Sequence, residues 1–177
     1  SAIFAGLAIS TKFHTVAALP IMAIFLFNQG KYKETAYMVL VPLAIYIGFS
    51  IPYFSSGEGY AELVIQNQKQ NMIFDSYFPI GEIKVYLPLL LAAVIYLRFS
   101  AYRKVNTDLL FAAIGALFSI FLLLIEPSPA WFVWMAPFFT IFYIRYFDGA
   151  QHYLLYFSLI TLYLIYYLLF HHYDHSK

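Results

Sequence analysis

The chain has 177 residues, of which 63% are hydrophobic, 21% are aromatic and only 11% are charged, and its formal net charge is +1 at pH 7. Because this number of charges is too small to cover the surface of an ordinary water-soluble domain, the composition predicts an integral, multi-pass membrane protein. The small net charge and the lack of a basic patch argue against nucleic acid as a partner. Because the chain contains no cysteine, it has neither disulfides nor thiolate metal sites.

The first apolar stretch is interrupted by a polar segment that carries Lys12 and His14. The apolar pieces on either side, 2–9 and 16–27, are each shorter than the roughly twenty residues that a helical span needs. Either the helix breaks at Lys12 at a membrane face, or one helix runs from 2 to 27 and buries Lys12 near mid-depth. We expect the break, because an unpaired charge at mid-depth is costly.

Longer apolar runs alternate with polar turns through the rest of the chain. They predict the remaining spans: 35–54, 85–97, 109–125, 132–143 and 153–170. The predicted fold is all-α, a polytopic transmembrane helical bundle of about six spans that forms a single domain over 1–177. Since the chain opens inside an apolar segment without a methionine, we expect it to be the C-terminal part of a larger protein.

The longest polar section, 55–83, predicts a loop that carries a surface helix. Within 60–72, Tyr60, Leu63 and Val64 share one face at helical spacing, whereas Glu62 and the amide and lysine side chains after it point away. This pattern is typical of an amphipathic helix that lies along a membrane surface.

Basic residues in short turns predict the orientation of the bundle, because such turns stay on the cytoplasmic side. The basic turns hold Lys31, Lys33, Arg98, Arg103, Lys104 and Arg145. The 55–83 loop and its surface helix are then extracytoplasmic. The short polar segment that begins at Glu126 and the break at Lys12 lie on the same side.

Two segments resemble the GT-C glycosyltransferases, integral membrane enzymes that use polyprenyl-phosphate sugars. Residues 5–12, AGLAISTK, are followed by Leu19-Pro20, similar to that family's glycine-leucine-alanine, threonine-lysine and leucine-proline segment. Residues 128–137, SPAWFVWMAP, are similar to its serine-proline-glutamine-tyrosine, tryptophan and proline segment, with Ala130 in place of the usual glutamine.

The resemblance implies a hexosyl- or mannosyl-transferase that moves a sugar from a lipid-phosphate donor on the extracytoplasmic side. Its implied partners are membrane lipid, the polyprenyl-phosphate sugar and either other membrane subunits or a missing N-terminal half, and it indicates no metal cofactor. The family carries its catalytic acid in an N-terminal extracytoplasmic loop, and this chain has no Asp-x-Asp or Asp-Asp pair. We therefore expect it to contribute to the donor pocket and to be inactive alone.

Five residues are candidates for binding the substrate. Lys12 and His14 offer N–H donors to a lipid phosphate, although an interfacial lysine can also simply extend to headgroups. Glu126 can accept a hydrogen bond from a sugar hydroxyl or act as a base, but an acid at the end of a span is more often a solvated boundary. Trp131 and Trp134 can stack on a sugar or an isoprenoid chain, or anchor the helix at the membrane interface.

Other functions stay open at this point. A metal at His171, His172 and His175 is disfavoured, because histidines on a frayed terminal tail lack the surrounding shell of groups that orients metal ligands. A small transporter subunit would need paired ionisable groups or broken helices near mid-depth, for which only Lys12 qualifies. An accessory subunit that scaffolds a larger membrane complex would explain the many aromatic residues as packing surface.

Overall fold

The computed structural model describes residues 2–54, 72–102, 104–125, 132–146 and 150–170, and they are mostly helical. The predicted surface helix over 60–72 lies outside these residues except for Met72, and so do Glu126, Trp131 and the histidine tail. The elements, in chain order, are α1 (Ala2–Thr11), a 3-10 helix (Phe13–Ala18), α2 (Leu19–Asn28), α3 (Tyr32–Phe54), a short 3-10 helix (Met72–Phe74), β1 (Tyr77–Ile80), β2 (Ile83–Tyr86), α4 (Leu87–Ser100), α5 (Thr107–Leu124), α6 (Phe132–Tyr146) and α7 (Ala150–Phe170).

Two of these helices are long and apolar enough to cross a membrane: Tyr32–Pro52 within α3, and Thr107–Leu124. The shorter apolar helices are Ala2–Thr11, Thr15–Asn28, Leu87–Ser100 and Tyr153–Leu169. Hydroxyl side chains on the apolar helices bond back to carbonyls one turn earlier, as Ser50 does to Tyr46 at 2.8 Å and Ser119 to Gly115 at 2.7 Å. Such bonds satisfy a hydroxyl without water, so these helices suit a nonpolar environment.

The helix breaks at Lys12, as predicted, and the alternative of one helix from 2 to 27 is wrong. Lys12 has an extended backbone, with φ −146° and ψ 99°. The chain then enters the 3-10 helix, which continues directly into α2 with Pro20 in its first turn. A proline there costs no hydrogen bond, because the first amides of a helix have no partner within it.

α1 packs closely against α3. A Cβ atom built on Gly6 would lie 2.8 Å from Ile45 Cδ1 and 3.0 Å from the backbone Cα of Pro42. Pro42 and Pro52 both lie inside α3. Glycine at position 6 therefore allows the two backbones to approach each other.

A β-hairpin precedes α4, and the sequence analysis did not predict it. Tyr77 pairs with Tyr86 and Ile80 with Ile83 in an antiparallel ladder. Gly81 has φ +61° in the two-residue turn, a conformation that glycine adopts without strain. The span predicted over 85–97 therefore begins two residues too early, because Val85 and Tyr86 belong to β2 and the helix begins at Leu87.

The core is built around α5. Its buried side chains recur at helical spacing and pack against Ile21 of α2 and Phe99 of α4. The buried residues of α5 are Ile114, Gly115, Leu117, Phe118 and Leu122. α5 contacts α2, α4 and α6, and also the 3-10 helix that precedes α2.

Gly115 lets α6 approach α5 closely, and this contact generates a stability prediction. A Cβ on Gly115 would lie 2.9 Å from Phe138 Cβ, an atom that cannot move without the α6 backbone. We expect Gly115→Ala to destabilise the protein by about 1–2 kcal/mol, because the overlap outweighs the better helix propensity of alanine. Thermal unfolding in detergent micelles measures the change.

Gly48 of α3 is the matched control, since a Cβ there meets nothing within 4 Å. Gly48→Ala should be neutral or slightly stabilising. Equal unfolding midpoints for the two variants would contradict the close α5–α6 contact.

Candidate functional site

One end of the bundle gathers the basic turns. Asn28 at the end of α2 donates from Nδ2 to the carbonyl oxygen of Tyr102 at 3.1 Å. The Arg98 guanidinium lies over the Tyr102 ring, 5.1 Å from its centroid. The turn that contains Lys31 and the segment after α4 therefore meet at this end, which we call the basic end.

An ion pair brings Arg145 to the same end. Arg145, in the last turn of α6, pairs with Asp108, in the first turn of α5. Each charge also complements the dipole of its own helix, because a helix favours acids at its start and bases at its end. The structure thus groups these basic turns as the sequence predicts, whereas their membrane side stays a prediction.

The opposite end is marked by a contact between the hairpin segment and α5. The Ser76 hydroxyl donates to the carbonyl oxygen of Leu124, the last residue of α5. The Ser76 carbonyl in turn accepts from the amide of Leu87, the first residue of α4, at 2.9 Å. Glu126 follows Leu124 by two residues, so we call this the Leu124 end.

Lys12 lies toward the Leu124 end. The 3-10 helix and α2 form an uninterrupted helical segment of about 27 Å, and that segment reaches the basic end at Asn28. Lys12 precedes its first residue and so lies at the far end. The Lys12 side chain is exposed and has no ion pair among the described residues, while its carbonyl accepts from the Thr15 amide at 3.0 Å.

Trp134 packs on the same helix that supports the segment after Lys12. Its ring lies 6.4 Å from that of Phe118, centroid to centroid, and its side chain is half-buried. Phe118 belongs to the core cluster against which Ala17 and Ala18 of the 3-10 helix also pack. Both segments therefore pack against α5.

The other candidates are less completely described. His14 belongs to the 3-10 helix, but its side chain lies outside the described part, as do Glu126 and Trp131 entirely. That these residues converge with Lys12 and Trp134 on one cavity stays a prediction.

An open groove at the basic end was missed by the sequence analysis. It has a volume of about 650 Å³ and is lined by the segment before α5, by the first half of α5 and by one residue of α6. Its polar residues are Tyr102, Lys104, Asn106 and Asp108, and its apolar residues are Val105, Leu109, Ala112 and Phe142. None of the predicted binding residues lines it. The sequence signal was the run of polar residues between two apolar helices, which we interpreted only as a turn.

The Asp108–Arg145 pair generates a second prediction. Asp108→Asn and Arg145→Gln should each destabilise the protein, and the coupling energy between them should be about 0.5–1 kcal/mol. The value is modest because Arg145 is 49% exposed and Asp108 29% exposed. A double-mutant cycle from unfolding in mixed micelles measures it, with Asp108→Asn and Lys33→Gln as an additive control pair. No coupling at low salt would contradict the ion pair.

Comparison with known proteins assigns no family. No protein-family model, curated protein or solved structure matches the chain.

Proposed function

We propose that the chain is the C-terminal part of a GT-C type membrane glycosyltransferase and contributes to the pocket for a polyprenyl-phosphate sugar. The observation that carries the proposal is the helix break at Lys12, which leaves an exposed lysine without an ion pair among the described residues. The break falls at the end of the AGLAISTK segment, one of the two segments that resemble this family.

Lys12 suits a lipid phosphate for physical reasons. Its ammonium group brings a full charge and three hydrogen-bond donors. The residues before it form the apolar helix α1, and those after it enter an apolar 3-10 helix and α2. A charge flanked by apolar helices at a membrane face is screened less than one in open water, which favours a compensating phosphate.

Trp134 suits the lipid or sugar part of the same ligand. Its ring is only half-buried against Phe118, so part of the indole remains accessible near the start of α6. An indole face can stack on a sugar ring or an isoprenoid unit. The chain would thus supply binding groups, while the catalytic acid would come from another part of the enzyme.

The proposal includes a membrane-spanning bundle of about six spans. It is supported by the apolar helices and by where the charges lie. Every described lysine, arginine, aspartate and glutamate lies outside the helices or within about a turn of a helix end. That distribution also disfavours a transporter subunit, which would need paired ionisable groups at mid-depth.

A scaffold subunit of a larger complex is the second candidate, favoured by α7. Its large apolar side chains are exposed over most of the helix, and Leu154, Phe157, Leu162 and Leu168 each have more than 60% of their surface accessible. Tyr156, Ile160 and Tyr163 form a less exposed face. These side chains can face either lipid or another subunit. The activity of Lys12 variants separates the two functions, because a scaffold role does not depend on that side chain.

Lys12→Ala in the intact enzyme should lower the efficiency of donor use, kcat/KM for the lipid-linked sugar, by about tenfold to a hundredfold. This range corresponds to the loss of one charge-assisted hydrogen bond. Expression and helix content should stay unchanged, because the side chain is exposed. Lys31→Ala at the basic end is the matched control and should behave as wild type. Unchanged donor kinetics for Lys12→Ala would remove the main support for a binding role and favour the scaffold function.

Cysteine labelling tests the orientation of the bundle, and the absence of native cysteine gives it a clean background. Lys33→Cys at the start of α3 and Glu82→Cys in the hairpin turn should react with a membrane-impermeant maleimide from opposite sides. We expect Lys33→Cys on the cytoplasmic side. Reaction of both from one side in intact cells would contradict the proposed topology.

A further inference from the structure

We infer that the groove at the basic end binds the phosphate headgroup of an anionic membrane phospholipid. The groove is amphipathic along its length. Lys104, Asn106 and Asp108 line it before and at the start of α5, a part that we call the mouth, whereas Leu109, Ala112 and Phe142 line it farther along α5 and α6, a part that we call the floor. This arrangement fits a ligand that is charged at one end and apolar at the other.

The charges at the mouth favour an anion. Asp108 is paired with Arg145, so the two charges compensate each other. Lys104 is exposed and has no ion pair among the described residues, which leaves one positive charge in excess at the mouth. Arg145 keeps 49% of its side chain accessible and has five N–H donors, more than one carboxylate can use.

The hydrogen-bonding groups at the mouth also suit a phosphate. Asn106 caps α5 by accepting from the Leu109 amide at 2.8 Å through Oδ1. That bond leaves the NH₂ group of Asn106 free to donate at the exposed start of the helix. An amide donor beside a lysine ammonium is a common environment for phosphate oxygens.

The floor accounts for the lipid part. Ala112 lies one turn beyond Asp108 on α5, and its small side chain leaves space beside Phe142 of α6. A volume of about 650 Å³ lies within the range of small-molecule sites. Basic grooves between membrane helices bind anionic headgroups, each lysine near the surface adding to the affinity. The inference requires that the helices lie in a membrane, but it does not depend on sugar transfer.

Titration with defined lipids tests the inference. The purified full chain in neutral detergent is titrated with phosphatidylglycerol, phosphatidylcholine or inorganic phosphate, and bound ligand is counted by native mass spectrometry. Phosphatidylglycerol should bind more tightly than phosphatidylcholine. Lys104→Gln should weaken phosphatidylglycerol binding by about fivefold. Lys33→Gln, the same change outside the groove, should leave it unchanged.

A second pair of variants tests the floor without changing charge. Ala112→Phe should fill the groove and weaken both lipids, whereas Ala116→Phe, one turn farther along the same exposed face of α5, should weaken neither. Equal affinity of the wild type for the two lipids would overturn the inference, and so would equal effects of Lys104→Gln and Lys33→Gln. Inorganic phosphate that binds as tightly as phosphatidylglycerol would show a free-phosphate site instead. If Ala112→Phe fails to fold, the comparison of Lys104→Gln with Lys33→Gln tests the inference by itself.

Discussion

The arrangement of this protein depends on the packing of α5 against its neighbours. Leu117 and Ile21 are completely buried where α5 meets α2, and Phe99 of α4 joins the same cluster. Gly115 brings α6 into close contact on another side. These contacts fix the positions of α2, α4 and α6 along the axis of α5. They therefore also determine which loops meet at each end of the bundle.

The two ends differ in chemistry because the charges are kept out of the helix interiors. At the basic end, the ion pair and the Asn28–Tyr102 bond hold three turns together around an amphipathic groove. At the Leu124 end, the described polar contacts are fewer, and the exposed Lys12 stands beside apolar helices. No described protein group compensates the charge of Lys12, so this lysine suits an external anion. The phosphate of a lipid-linked sugar donor is such an anion. The groove at the basic end suits an anion of the bilayer itself. We therefore propose a phosphate site at each end of the bundle, with a different ligand for each.

The helices were largely predictable, because apolar runs bounded by charges or prolines carry a strong signal. The break at Lys12 was also predictable, since the cost of burying its charge exceeds the cost of interrupting a helix. The hairpin was not, because two strands of four residues with mostly exposed side chains show no alternation between polar and apolar faces. The groove was missed because Lys104 and Phe142 are far apart in sequence and are joined only by the packing of α5 on α6. Within the candidate site, sequence motifs selected Lys12 and Trp134, but only the shared contacts with α5 relate them in space.

The proposed donor site requires the helix break at Lys12 to lie at the Leu124 end of the bundle. Pulsed electron–electron double resonance between two nitroxide labels tests this position directly. Labels can be attached at chosen sites, because the chain has no native cysteine to remove. One doubly labelled protein carries labels at Lys12 and at the exposed Leu123 of α5. A second carries labels at Lys12 and at Thr107, which lies about 24 Å from Leu123 along α5. If the break lies at the Leu124 end, the mean distance between the labels should be clearly shorter for Lys12–Leu123 than for Lys12–Thr107. Equal distances, or a shorter distance to Thr107, would contradict it.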